Sequence, residues 1–182
     1  NQNIPPEEEE ARIVLPSKLP LPAIKELPKI KKPMLINLWS ALCQPCLEEL
    51  EEWSKNIKKI KESDLHVHLF NVDEKYSMPS EYLFSHSSIS TEGIRALDLF
   101  QKGVLDRWTD LPVPSSFLID EFGEVAVIYK GKVSIDQILS DLKLLDVKAE
   151  QRRALALPFE GLFISPLPKP DPRLISSRFL DA

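Results

Sequence analysis

Apolar and polar positions along the chain fall into three patterns, and each predicts a different element. Met34 to Trp39 is an almost unbroken apolar run opened by Pro33, which predicts a strand buried on both faces. Gln44 to Lys61 follows with helical spacing. Leu47, Leu50, Trp53, Ile57 and Ile60 recur at three- and four-residue steps, while Glu48, Glu49, Glu51, Lys58 and Lys59 are assigned to the other faces. Leu65 to Val72 alternates as a second strand, with Leu65, Val67 and Leu69 on one side and His66, His68 and Phe70 on the other, ending at Asp73 and Glu74.

Ser80 to His86 and Thr91 to Val104 read as helices, with Thr91 as the N-cap of the second. Ser116 to Asp120 and Val125 to Tyr129 form a hairpin around Glu121-Phe122-Gly123. Ser134 to Leu145 closes as an amphipathic helix capped by Ser134. Ahead of all this, Ala11 to Leu15 reads as a short strand, and prolines break the passage from Pro16 to Pro33. The order β–α–β–α–β–β–α with a buried first strand predicts an α/β fold, a central mixed sheet with helices on both faces.

Composition sharpens the boundaries. Sixteen prolines stand against five glycines in 182 residues, crowding before Met34 and after Leu157. This predicts an N-terminal extension over 1–16, a compact domain over 17–146 and a proline-rich C-terminal extension over 147–182. Phe159, Leu162, Phe163 and Ile164 make that last stretch too apolar for free solvent exposure, so a covering surface or a neighbouring domain is expected there. The acidic run Glu7 to Glu10 reads as a solvated tail, and the start at Asn1 as that of a mature or excised segment. A net charge of −5 argues against nucleic acid, and no apolar run reaches the roughly 20 residues of a membrane span.

With only two cysteines, spacing has to carry their meaning. Cys43-Gln44-Pro45-Cys46 lies where the buried strand gives way to the long helix. Seen alone, Cys-x-x-Cys serves metal binding or redox chemistry. Zinc needs two further ligands, and only His66, His68 and His86 are offered. Redox chemistry needs a thiolate, which a helix N-terminus favours through its free N–H groups and dipole. Cys43 is then the nucleophile and Cys46 the resolving thiol. Pro45 suits a first turn, where no N–H is required. Pro114, directly before a strand, costs a ladder hydrogen bond, and one reason to keep it is a cis Val113–Pro114 bond that leaves the Val113 backbone open to an extended substrate.

These stretches resemble the bacterial TlpA/ResA-type thioredoxin-like proteins. The likeness rests on Asn37-Leu38-Trp39-Ser40-Ala41-Leu42-Cys43-Gln44-Pro45-Cys46-Leu47-Glu48-Glu49, and on Val113 to Asp120 followed by Phe122-Gly123-Glu124-Val125. The resemblance spans roughly Pro20 to Leu145. It implies a thioredoxin fold, no cofactor, and dithiol exchange with a protein thiol or disulfide outside the cytoplasm, in a periplasmic or secreted setting. By the same resemblance Asn37 takes the place of a buried aspartate near the resolving cysteine, and Glu74 is the candidate for handling the Cys46 proton. Trp108 either lines a peptide groove or packs under its loop. The chain departs from the family where Leu42 replaces a tryptophan, Glu51 replaces a proline, and a proline-rich passage replaces an initial hairpin. A second reading is a thioredoxin-fold interaction module whose cysteine pair is idle; a Cys43 sulfur covered by Phe159 or Phe163 would favour it.

Overall fold

The computed structural model describes residues 11–29, 31–73, 83–105 and 110–155. Six strands form one mixed sheet: β1 (Ala11–Pro20), β2 (Met34–Trp39), β3 (His66–Asn71), β4 (Ser85–Ser88), β5 (Ser115–Ile119) and β6 (Glu124–Lys130), in the order β1-β6-β5-β2-β3-β4. β2 runs parallel to β3 and antiparallel to β5, and β3 runs parallel to β4. The helices are α1 (Gln44–Lys55), α2 (Ile57–Glu62), α3 (Thr91–Leu105), α4 (Ile135–Asp141) and α5 (Ala149–Leu155).

The apolar run of β2 earns its central place because every one of its residues is buried. Leu35 and Trp39 enter one core with Leu50 and Trp53 of α1 and Ile135 and Ile138 of α4. Met34, Ile36 and Leu38 enter the other with Phe117 and with Leu97 and Phe100 of α3. Helices therefore cover both faces, as the sequence pattern predicts. β3 divides the same way: Val67 and Leu69, with Leu65 just ahead of the strand, join the α1 side and Phe70 the α3 side. Burying a side chain of this size contributes roughly 1.5–3 kcal/mol, so the continuous run makes β2 the most committed strand of the sheet.

The structure corrects several expectations. The helix expected over Ser80 to His86 is absent from the described part of that stretch; Ser85–Ser88 is instead a strand parallel to β3. His68 explains this, since its two ring nitrogens meet Ser85 Oγ at 2.8 Å and Ser87 Oγ at 3.0 Å, contacts that alternate serines of a strand supply. The long helix breaks at Asn56, whose side chain turns back to the Glu52 carbonyl and carboxylate. Ser90 rather than Thr91 caps α3, its hydroxyl accepting from Gly93 N–H. The closing helix is α4 followed by a 3-10 turn over Leu142–Leu145, with Ser134 capping through Gln137 N–H.

β1 is twice the expected length and passes through Pro16, which falls where its pairing with β6 shifts register between Val14 and Leu19. An outer strand tolerates the missing N–H at such an irregularity. This strand straddles the boundary expected at 16/17, and α5 packs against it. At the β5–β6 turn Gly123 takes φ 83°, which its missing Cβ permits. The Asp120 carboxylate accepts from the N–H groups of Phe122 and Glu124 there.

Candidate functional site: a dithiol at a helix mouth

Cys43 is the N-cap of α1, with extended backbone, and its sulfur accepts from Cys46 N–H at 3.2 Å. Pro45 occupies the first turn, where no donor is needed. That turn holds no acidic residue of its own to neutralise the positive end of the helix dipole. Cys43 and Cys46 are joined as a disulfide across one helical turn, with Cα atoms 5.3 Å apart. The two sulfurs differ in access: Cys43 is half-buried and Cys46 is fully buried. An incoming group therefore meets Cys43 first.

The loop before Cys43 is held from the end of β3. Asp73 accepts from Ser40 Oγ and Ala41 N–H, both at 2.7 Å. Burial pushes its pKa up, but the bonds from Ser40, Ala41 and Asn71 outweigh this and hold it below the usual carboxylate value. Across the cleft the Val113–Pro114 peptide is cis. The Val113 carbonyl oxygen lies 3.5 Å from Cys43 Sγ. The Ser115 hydroxyl donates to the Pro112 carbonyl and Gly131 N–H to the Pro114 carbonyl, which pins the turn on both sides. Val113 is 38% exposed and Leu42 is 94% exposed, giving Cys43 an apolar rim.

One more polar residue shares the inward stripe of α1 with Cys46. The polar residues of α1 are expected on its solvated faces, yet Glu49 is 1% exposed. Its spacing held the signal: Cys46, Glu49, Leu50 and Trp53 stand at steps of three and four, one continuous inward stripe. Glu49 Oε2 accepts from Asn37 Nδ2 at 2.9 Å and Oε1 from Val133 N–H at 2.8 Å. Burial dominates these bonds and pushes its pKa up to about 8. Asn37, fully buried on β2, gives its other amide hydrogen to Ser116 Oγ.

The loop carrying Val133 and the first residue of α4 are tied to α1 three more times. Trp53 Nε1 donates to the Val133 carbonyl, Glu52 accepts from Ile135 N–H, and Lys132 pairs with Glu48. Of the residues expected at the site, Cys43, Cys46, Val113, Pro114 and Asn37 converge here; Glu74 and Trp108 lie outside the described residues.

No family model matches the chain. Among curated proteins it is similar to the thiol-disulfide oxidoreductase ResA of Bacillus subtilis, 26% identical over 124 residues, which cover 66% of this chain and 65% of that protein. The ResA of Halalkalibacterium halodurans is 22% identical over 120 residues, covering 65% of each. The match thus spans about 65% of the length of these relatives. Among solved structures it is similar to StoA from Bacillus subtilis, with 16% identity, a TM-score of 0.45, and coverage of 73% of this chain and 97% of that one. A thioredoxin family protein from Chlorobium tepidum TLS gives 20% identity, a TM-score of 0.47, and coverage of 70% and 81%.

Proposed function

We propose that this chain, a ResA/TlpA-like domain of the thioredoxin family, is a thiol–disulfide oxidoreductase acting on a protein thiol or disulfide. One observation carries the reading: the Cys43–Cys46 disulfide sits at the mouth of α1, with its outer sulfur 3.5 Å from the carbonyl of a residue in a cis-proline turn. In the reduced protein the Cys43 thiolate attacks a substrate disulfide. A Cys43–substrate S–S bond forms and one substrate thiolate leaves. Cys46 then attacks Cys43 Sγ, closing the intramolecular disulfide and releasing the second substrate thiolate. The reverse sequence oxidises a substrate dithiol.

The Cys46 thiol has to lose its proton in a dry place, and Glu49, one turn further along the same inward stripe, takes it in its ionised form, which its pKa of about 8 makes the minor form at neutral pH. Glu74 keeps that role as an expectation from the sequence resemblance. Val113 and Pro114 present the substrate chain, and the half-buried state of Cys43 supports catalysis over the idle-module reading. Action outside the cytoplasm is the setting that the sequence resemblance implies. The apolar residues around Phe159 and Phe163 support a neighbouring domain on the C-terminal side.

The test is a trapping experiment. In Cys46→Ala the resolving thiol is gone, so Cys43 should accumulate as a mixed disulfide with a disulfide-bearing protein. The complex should disappear on addition of dithiothreitol and in the Cys43→Ala variant. A Cys43 that forms no adduct and alkylates like an ordinary thiol of pKa about 8.5 would sink the proposal.

A further inference from the structure

The two donors on Glu49 differ in kind. Val133 N–H is backbone, in a loop tied to α1 by Trp53 and Glu52. Asn37 Nδ2 belongs to a side-chain amide, which can present either of its ends. Something has to select the end that faces the carboxyl.

Asn37 has two amide hydrogens and both are committed, one to Glu49 Oε2 and one to Ser116 Oγ, each at 2.9 Å. Its oxygen Oδ1 is buried and has no hydrogen-bond partner among the described residues. That bare oxygen disfavours the observed orientation, because a buried acceptor without a partner costs free energy. The two bonds made by the NH2 group therefore hold the amide as it is. If the amide turned over, its oxygen would face the Glu49 oxygens. A hydroxyl can accept or donate, so Ser116, by accepting, selects the productive end.

We propose that Ser116 is a positioning residue: by accepting one hydrogen of the Asn37 amide, it keeps the other directed at Glu49, and so holds that carboxyl in place one turn beyond Cys46 and favours its ionised form. The location supports this. Ser116 lies on β5 two residues beyond the cis proline, opposite Asn37 in the β2–β5 register. It thus links the strand that follows the substrate turn to the carboxyl under the dithiol. The other groups acting on Glu49 are Glu52 of α1, which opposes its charge, and Lys132 of the 131–134 loop, which favours it. The neighbouring dithiol carries no charge while it is oxidised.

The test reads Glu49 directly, in the disulfide form and without substrate. Protein labelled with 13C at glutamate carboxyls is titrated by NMR, and the Glu49 signal is assigned by its loss in Glu49→Gln. The wild-type midpoint is expected near 8. Ser116→Ala should raise it by about half a unit or more, since a hydrogen bond that favours the charged form is weakened. Ser116→Thr keeps the hydroxyl and should titrate like wild type, while Ser116→Val, of the same shape, should shift like alanine. This pair decides the question even if the alanine variant does not fold. Asn37→Ala should also shift the midpoint upward, and adding Ser116→Ala to it should shift it no further, because Ser116 acts through Asn37. An unmoved midpoint in Ser116→Val, or shifts that add in the double variant, would overturn the proposal. The proposal borrows from the oxidoreductase reading only the importance of Glu49. A domain that fails the trapping assay can still pass this one, and the converse holds.

Discussion

Glu49 shows how far one buried carboxyl can set the pH response of a domain. Its folded pKa stands near 8 because burial outweighs the bonds from Val133 and Asn37, against an ordinary value of 4.5. Between those two values the folded chain keeps a proton that the unfolded chain has released. Stability therefore falls as pH rises through the window, by at most about 1.4 kcal/mol per pH unit. Glu49→Gln removes the titration, so denaturant unfolding at pH 5 and at pH 8.5 should show the wild type losing a few kcal/mol relative to the variant. A difference that stays constant across the window would mean Glu49 ionises alike in both states. Glu49 was legible in the spacing of α1, but a glutamate among glutamates is assigned to solvent unless the apolar stripe is followed through it. Cys43, Cys46 and Pro114 were legible because each breaks an ordinary rule of composition or strand chemistry at the end of a buried element.

Among elements, β4 was the least legible and depends most on one side chain. Its sequence, Ser85-His86-Ser87-Ser88, has no apolar alternation, so nothing local marks it as a strand. Its signal lay in β3, in the imidazole of His68 that bridges two alternate serines. Burial first, then the nearby His66 and His86, pushes the His68 pKa down to about 4 from 6.5. In that window the unfolded chain binds the extra proton, so stability is lost as pH falls from 6.5 towards 4. His68→Ala should speed amide exchange at Ser85–Ser88 while leaving β2 protected. Equal acceleration in both strands would show that β4 is not a separately opening unit. The strongly patterned elements β2, α1, β5 and β6 were readable because they satisfy a burial periodicity by themselves, whereas β4 and the break at Asn56 answer to side-chain bonds.

Over the whole molecule these two titrations oppose each other between about pH 4.5 and 6.5, so the stability profile should be flattest there. Another buried group fastens the β1–β6 end of the sheet. Asp141 of α4 accepts from Arg12 of β1 at 2.7 and 2.6 Å, from the Tyr129 hydroxyl of β6 at 2.8 Å and from Gln137 at 3.0 Å. Desolvation, then Asp141, raises the Tyr129 pKa and keeps that hydroxyl a donor. Asp141→Ala leaves the buried Tyr129 phenol without its acceptor while the partly exposed Arg12 can turn to water, and should cost roughly 1–3 kcal/mol, read as a drop in Tm; no measurable drop would show the cluster to be ornamental. The margins of the sheet carry one more consequence. On one side β1 holds Pro16 and Pro20 and lies against α5; on the other β4 is four residues long and rich in hydroxyls. Neither rim is a good template for another chain to zip onto. At high concentration, self-association through intermolecular ladders is thereby suppressed, and a molecule can expose a greasy mouth at Leu42 and Val113 without seeding fibres along its flanks.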